Sequence, residues 1–416
     1  MKVLQINTVC GSGSVGKITV DIYETLRERG EEAVIFYGRD QAPGNVEGAV
    51  KIGSKLDFYL HAFLGVALGK GGFGSRKYTQ QMIERIKKEK PDVIHLHNIH
   101  GFYLQIEVLF EFLKKAGIPV VWTFHDCWPF TGHCAYFDYS GCDKWKTGCI
   151  GCANHIKAYP YSIRDYAKQS FFRKTKAFLG VENLTIVTPS YWLKDLVKKS
   201  FLKEYPTQVI PNGIDLEKFH PQVLTPGSKD QKPPRERYGI GKKYMILGVA
   251  NVWEERKGME YFIKLNQLLA KEGESEFNSD NTVIVLVGLS KKQKKNLPSK
   301  MIGIERTNGV EELAALYTAA DVYVNATLED NFPTTNLEAL ACGTPVITFA
   351  TGGSMESIDD SCGIVTKRKD EYGILESLKE MKKHPRNSQA CVRKGEEYDR
   401  KKRFLEYIEL YEKVVE

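Results

Sequence analysis

The chain has 416 residues, 42% hydrophobic and 27% charged, and a formal net charge of +7 at pH 7. That length predicts two domains of ordinary size, and the composition excludes a disordered or fibrous protein. No stretch approaches the roughly 20 apolar residues that span a bilayer. The modest positive charge, with no recognition motif beside it, speaks against nucleic acid and for anionic ligands or an anionic membrane surface.

In chain order, strands are expected at 3–6, 32–37, 92–96, 120–124 and 184–187, with helices ending near Glu28 and covering 78–90. Met1 leads straight into the first strand, too short a run for a signal peptide, which predicts a cytoplasmic protein with its nine cysteines mostly reduced. A second series starts near Gln208, with strands at 245–249, 283–287, 322–325 and 346–349. Such alternation implies parallel sheets covered by helices on both faces, hence an α/β protein of two Rossmann-like domains facing a cleft. The longest apolar stretch, 58–68, is interrupted by His61. Residues 221–237, rich in Pro, Lys and Gln, read as an exposed loop. The last segment, 401–415, is apolar at 404, 405, 408 and 411, as in an amphipathic helix.

The first motif is Gly11-Ser-Gly-Ser-Val-Gly16, between a strand and a helix. It satisfies the dinucleotide-binding spacing, with Asp40 placed as a ribose-binding acid would be, and it misses a P-loop because Ile18 follows Lys17. His125 and Asp126 follow the strand 120–124, at the carboxyl end where open α/β sheets bind ligands. His95, His97 and Asn98 end the preceding strand and either line the acceptor side or serve as polar structural residues. Cys134, Cys142, Cys149 and Cys152 form a cluster with a single Cys-x-x-Cys arm. In a reducing compartment this pattern fits a structural tetrahedral zinc better than two disulfides; Cys127 lies outside it. Residues 157–176 interleave basic and aromatic side chains, a packed helix or a contact for a membrane surface.

In the second half, Arg256 and Lys257 precede Gly258 in the loop after the strand 245–249. Cations there can neutralise a departing diphosphate. The segment 325–347 is the most informative. A strand leads to Asp330, Pro333 suits a first helical position, Glu338 lies about two turns in, and Gly343 can close the helix. The backbone N–H groups of Phe332, Thr334 and Thr335 would face a diphosphate, and Glu338 a ribose.

The acidic pair Asp330 and Glu338 resembles the glutamate–seven–glutamate signature of the retaining glycosyltransferases of family 4, which have the GT-B fold. The resemblance extends to the glycine loop, Thr123-Phe-His-Asp126, Val209–Asp215, Arg256-Lys-Gly258 and Gly352-Gly353. Asp330 departs from it, one methylene shorter than the usual Glu, and Asn251 stands where an Arg is usual. The segment starting His125-Asp-Cys-Trp-Pro-Phe-Thr-Gly132 is similar to an insertion in a subgroup linked to exopolysaccharide assembly.

The resemblance implies an acceptor-side domain over 1–204, with the cysteine-rich insertion at 127–155 and a final helix, 398–416, crossing back onto it. A nucleotide-sugar domain would occupy 205–397. It further implies metal-independent transfer from a UDP- or GDP-sugar to a glycan or lipid-linked acceptor. Asp330, His125 and Lys257 would act at the reacting centre, and Gly13, Arg256, Lys257, Phe332, Thr334, Thr335 and Glu338 would bind the donor. Three readings stay beside it: an NAD-linked sugar-modifying enzyme using the glycine loop, a GT-B phosphorylase or epimerase, and a catalytically silent subunit of a polysaccharide assembly complex.

Overall fold

The computed structural model describes residues 1–222, 232–271 and 277–416. They form two compact units, residues 1–212 with 401–416, and residues 213–400.

The first unit holds a seven-stranded parallel sheet of β1 (Lys2–Val9), β2 (Glu32–Arg39), β3 (Ala49–Lys51), β4 (Val93–Leu96), β5 (Val120–Thr123), β6 (Leu184–Thr188) and β7 (Thr207–Val209). Its order is β3-β2-β1-β4-β5-β6-β7. Every residue of β4 and β5 is buried, because both faces of the sheet are covered. The helices are α1 (Gly13–Glu28), α2 (Lys55–Leu68), α3 (Arg76–Glu89), α4 (Ile106–Ala116), α5 (Ala167–Phe178) and α6 (Tyr191–Lys198). Successive strand residues point to opposite faces and so feed different cores. Leu4, Ile94 and Trp122 pack with Phe110 and Phe178 on one side. Val3, Ile35 and Val121 pack on the other.

The second unit holds a six-stranded parallel sheet of β8 (Tyr244–Val249), β9 (Thr282–Val287), β10 (Met301–Ile304), β11 (Val322–Asn325), β12 (Val346–Phe349) and β13 (Gly363–Thr366). Its order is β10-β9-β8-β11-β12-β13. Around it lie α7 (Pro234–Arg237), α8 (Met259–Lys271), α9 (Lys291–Lys295), α10 (Val310–Ala319), α11 (Thr334–Ala341), α12 (Glu371–Lys383) and α13 (Ser388–Glu396). The last helix, α14 (Arg400–Val415), returns to the first unit, where Phe404, Tyr407, Ile408 and Tyr411 join the core of Val3 and Ile35.

Three expectations change. Of the loop expected over 221–237, residues 223–231 lie outside the described residues, and 234–237 form the single turn α7. Pro333 is the N-cap of α11 and not its first helical residue. Two cations of the basic stretch 157–176, Arg173 and Lys174, are not free surface charges. Arg173 pairs with Glu107 at 2.6 Å. Lys174 is fully buried, its ammonium on the carbonyls of Trp128 (2.7 Å) and Thr131 (3.1 Å) and 3.4 Å from the Trp128 ring centroid. Lys174→Glu should therefore act on stability. A buried charge set against two carbonyl oxygens is expected to cost about 3–5 kcal/mol, read as a fall in the denaturation midpoint.

Candidate active site

In each sheet the strand order reverses once, between β1 and β4 in the first and between β8 and β11 in the second. Loops at the carboxyl ends of the strands flanking such a reversal diverge and leave a crevice. In the second unit those loops carry Lys257 and Asp330. The Lys257 ammonium lies 2.6 Å from Asp330 Oδ2, with the side chains 25% and 15% exposed. The two loops are laid directly on each other. Leu328 N donates to Arg256 O (2.7 Å), and the Thr327 hydroxyl donates to the same oxygen (3.2 Å). Gly258 makes this approach possible: at φ +72° a Cβ would sit 2.0 Å from the Ala326 carbonyl oxygen. Arg256 is held in place as well, with Nη1 on Glu329 O (3.3 Å) and Nε on Glu254 (3.2 Å).

α11 starts beside this pair. Its N-cap, Pro333, supplies no side-chain hydrogen bond, so the first-turn amides of Thr334 and Thr335 keep their donor capacity for an anion. Further along, Glu338 Oε2 accepts from the Tyr317 hydroxyl at 3.0 Å. Burial holds Tyr317 well above the usual phenol range, so it remains a donor. Below the helix lies a network that motif reading missed. Asn336 accepts from Asn325 (2.7 Å) and donates to Ser357 (2.9 Å) and Ser354 (3.2 Å), tying α11 to the turn after Gly352-Gly353. An Asn three residues after the capping Pro333 was the one available signal.

In the first unit, the Gly11 amide is used internally, donating to Gly16 O (3.0 Å), and Ser12 donates to Asp40 (3.1 Å). Gly13 opens α1 and is exposed. His125, partly exposed after β5, belongs to a hydrogen-bond chain whose directions can be assigned. The Gln5 amide donates to Thr19 O (3.0 Å), which turns its oxygen toward His97 Nε2 (3.0 Å). His97 Nε2 must therefore carry the proton, and its Nδ1 accepts from His125 Nε2 (3.1 Å). Burial pulls His125 down to about 4 and His97 well below the usual histidine range, so both are neutral. The fold thus fixes His125 with Nε2 protonated and Nδ1 as the acceptor nitrogen. Nitrogen-15 shifts of the folded protein should show this tautomer unchanged down to about pH 6; a switch of tautomer, or a titration near 6.5 in the folded state, would contradict it.

His95 is wholly buried and not a lining residue. It bonds Tyr411 of α14 (2.7 Å) and Thr123 (2.8 Å). His100, which sequence reading passed over, bonds Asp126 Oδ2 through Nε2 (2.8 Å). Burial would raise the Asp126 carboxyl, but His100 and the Trp128 amide hold it below its ordinary value. His100 Nδ1 is buried without a hydrogen-bond partner among the described residues.

The cysteines correct an expectation. Cys134, Cys142, Cys149 and Cys152 line one small cavity, yet among the described residues no group of three or more His, Cys, Asp or Glu is arranged to hold a metal ion. The hydrogen bond between Cys134 and Cys152 raises the first thiol and lowers the second to about 6, and burial pushes Cys149 up to about 11 against an amide hydrogen bond from Gly132 (3.1 Å). Structural zinc on this quartet is not supported.

Two family models match the chain, Glycosyltransferase Family 4 over residues 15–218 and Glycosyl transferases group 1 over residues 230–398. WcaC of Escherichia coli (strain K12), assigned as a colanic acid biosynthesis glycosyl transferase, is 24% identical over 400 residues, 91% of this chain and 90% of that protein. Among solved structures, sucrose-phosphate synthase from Thermosynechococcus elongatus superposes with a TM-score of 0.69 at 15% identity, covering 100% of this chain and 99% of that one. Anabaena Alr3699/HepE in complex with UDP-glucose gives 0.66 at 14% identity, covering 99% and 100%. These likenesses show the fold, GT-B.

Proposed function

We propose that this chain, which belongs to the glycosyltransferases through the two family models that together span most of it, transfers a sugar from a UDP- or GDP-linked donor with retention at the anomeric carbon. The acceptor is a glycan or lipid-linked precursor of a bacterial surface polysaccharide. The observation that carries the reading is the Lys257–Asp330 pair at the strand-order reversal of the second sheet, beside the start of α11. The full-length likeness to WcaC supports the polysaccharide setting, and UDP-glucose in Alr3699/HepE supports a nucleotide-sugar donor.

In this mechanism Lys257 and the first-turn amides of Thr334 and Thr335 bind the diphosphate, with Arg256 and Phe332 bordering it. Glu338 accepts hydrogen bonds from the ribose and Asp330 from hydroxyls of the donor sugar. Within the first unit, His125 and Gly13 follow β5 and β1 at the carboxyl end of that sheet, the end where open α/β sheets bind ligands. The C1–O bond to the β-phosphate breaks, the acceptor oxygen bonds C1 from the same face, and the acceptor proton passes to the leaving phosphate oxygen. No protein base and no catalytic cofactor is required. The sequence contains no Asp-x-Asp, and cations with helix-end amides replace a metal clamp.

A thermal-shift series with UDP, GDP, ADP and NAD, in buffer containing EDTA, tests the donor class. UDP or GDP should raise the melting temperature, by about 2.7 kcal/mol of stabilisation at a hundredfold excess over Kd. A shift with NAD alone would turn the reading toward the dinucleotide alternative.

A further inference from the structure

α2 is built inside out. At 3.6 residues per turn Leu56, Tyr59, Leu60, Phe63 and Val66 share an arc of roughly 120°. Their exposures are 79%, 66%, 58%, 65% and 39%. The side turned to the protein holds the helix's two buried residues, His61 and Gly65. The helix is nonetheless firmly fixed. His61 Nε2 accepts from the amides of Gly72 (3.2 Å) and Gly74 (3.0 Å), so its Nδ1 donates to Ser75 (2.9 Å), whose hydroxyl donates to Asp57 (2.6 Å). Gly65 lies under Phe102, where a Cβ would meet the ring at 2.4 Å.

The apolar surface continues onto a second segment. Ile163 N donates to Val66 O (2.7 Å), and Ile156, Tyr159, Tyr161 and Ile163 are 65%, 41%, 53% and 72% exposed. Within 54–70 and 156–164 the exposed charged residues are Lys55, Lys70, Lys157 and Arg164. All are basic. The one acid, Asp57, is half-buried and bonded to Ser75.

A contiguous apolar face of this kind marks an interaction site and not ordinary surface. Its rim selects the partner. A second copy docking face to face would set these cations against one another. An anionic bilayer would neutralise them, with the rings and aliphatic chains in the headgroup region. We propose that this face is the protein's docking surface for an anionic lipid bilayer, with α2 lying along it. The surface also borders the carboxyl end of the first sheet: Phe102 follows β4, and the Tyr159 ring lies 6.1 Å from that of His100. Docking would therefore bring the first sheet's ligand-binding end to the bilayer, where a lipid-linked acceptor resides. That last step alone rests on the proposed function.

Flotation of the full chain with phosphatidylglycerol–phosphatidylcholine vesicles, against phosphatidylcholine alone, tests the surface without any assay of transfer. Binding to the anionic vesicles should weaken roughly tenfold or more in Leu60→Gln/Phe63→Gln and again in Lys55→Glu/Arg164→Glu, and should fall with salt in the wild type. Circular dichroism should be unchanged, since the altered side chains are exposed. Absence of wild-type binding, or binding indifferent to both double variants, overturns the proposal. So does a wild-type dimer in sedimentation that Leu60→Gln/Phe63→Gln dissociates, which would make the face a self-association surface.

Discussion

Replacing Lys257 by alanine is expected to lower kcat by a factor of roughly 10²–10³, the usual effect of removing one preorganised electrostatic stabiliser of a leaving group. The expectation follows from its position. The ammonium is half-buried, 2.6 Å from Asp330, on a loop that Gly258 locks onto the next. Asp330→Asn should lower turnover more than donor affinity, because that carboxylate is assigned to the sugar and not the nucleotide. Glu338→Gln should do the reverse. Losing a charged acceptor of ribose hydroxyls removes roughly 1.5–3 kcal/mol, so donor affinity should fall about tenfold or more. Since Lys257 and Asp330 are in contact, their double variant should cost less than the two single effects combined. Wild-type kinetics in the single variants would remove the site from this crevice.

Mild acid is expected to unfold the first unit. Burial pulls His61, His125 and His133 down to about 4, and His95 and His97 well below the usual histidine range. All five are neutral in the fold and become protonated in the unfolded chain below about pH 6.5. The sign is therefore fixed: this stability is intact above 6.5 and is lost as pH falls toward the folded values. Each histidine contributes about 1.4 kcal/mol of loss one unit below its free pKa, so five give about 7 kcal/mol near pH 5.5. That matches the roughly 5–15 kcal/mol that holds a typical domain together. Trp122, Trp128 and Trp145, buried in the first unit, should report the transition by fluorescence between about pH 6 and pH 5. A first unit stable to pH 4 would show that these histidines are charged in the fold.

Much of this was readable in the residues. The β-rich runs around Val93, Val120, Val283 and Val346 alternate with helical spacing, and Gly343 and Pro333 bracket a helix start and stop. The acidic pair was legible because a strand, a proline and a glycine fix where Asp330 must stand. What escaped were features set by tertiary contact. α2 is apolar around nearly its whole circumference, so periodicity could not say which side faces out. Lys174 and Arg173 looked like surface charge, and only packing shows one of them under Trp128 and the other on Glu107. The cysteine spacing suggested a metal because separation along the chain carries no information on whether the thiols stand where one ion could hold them, and among the described residues they do not. His100 and Asp126 lie 26 residues apart and meet because β4 and β5 are neighbours.

Titration calorimetry with UDP and with GDP, on the wild type and on Glu338→Gln and Lys257→Ala, tests the central claim most directly. The account predicts that one nucleotide binds the wild type in the presence of EDTA, and that both variants bind it at least about tenfold more weakly while keeping their fold. Failure of both nucleotides to bind, or binding of equal strength in all three proteins, would contradict it.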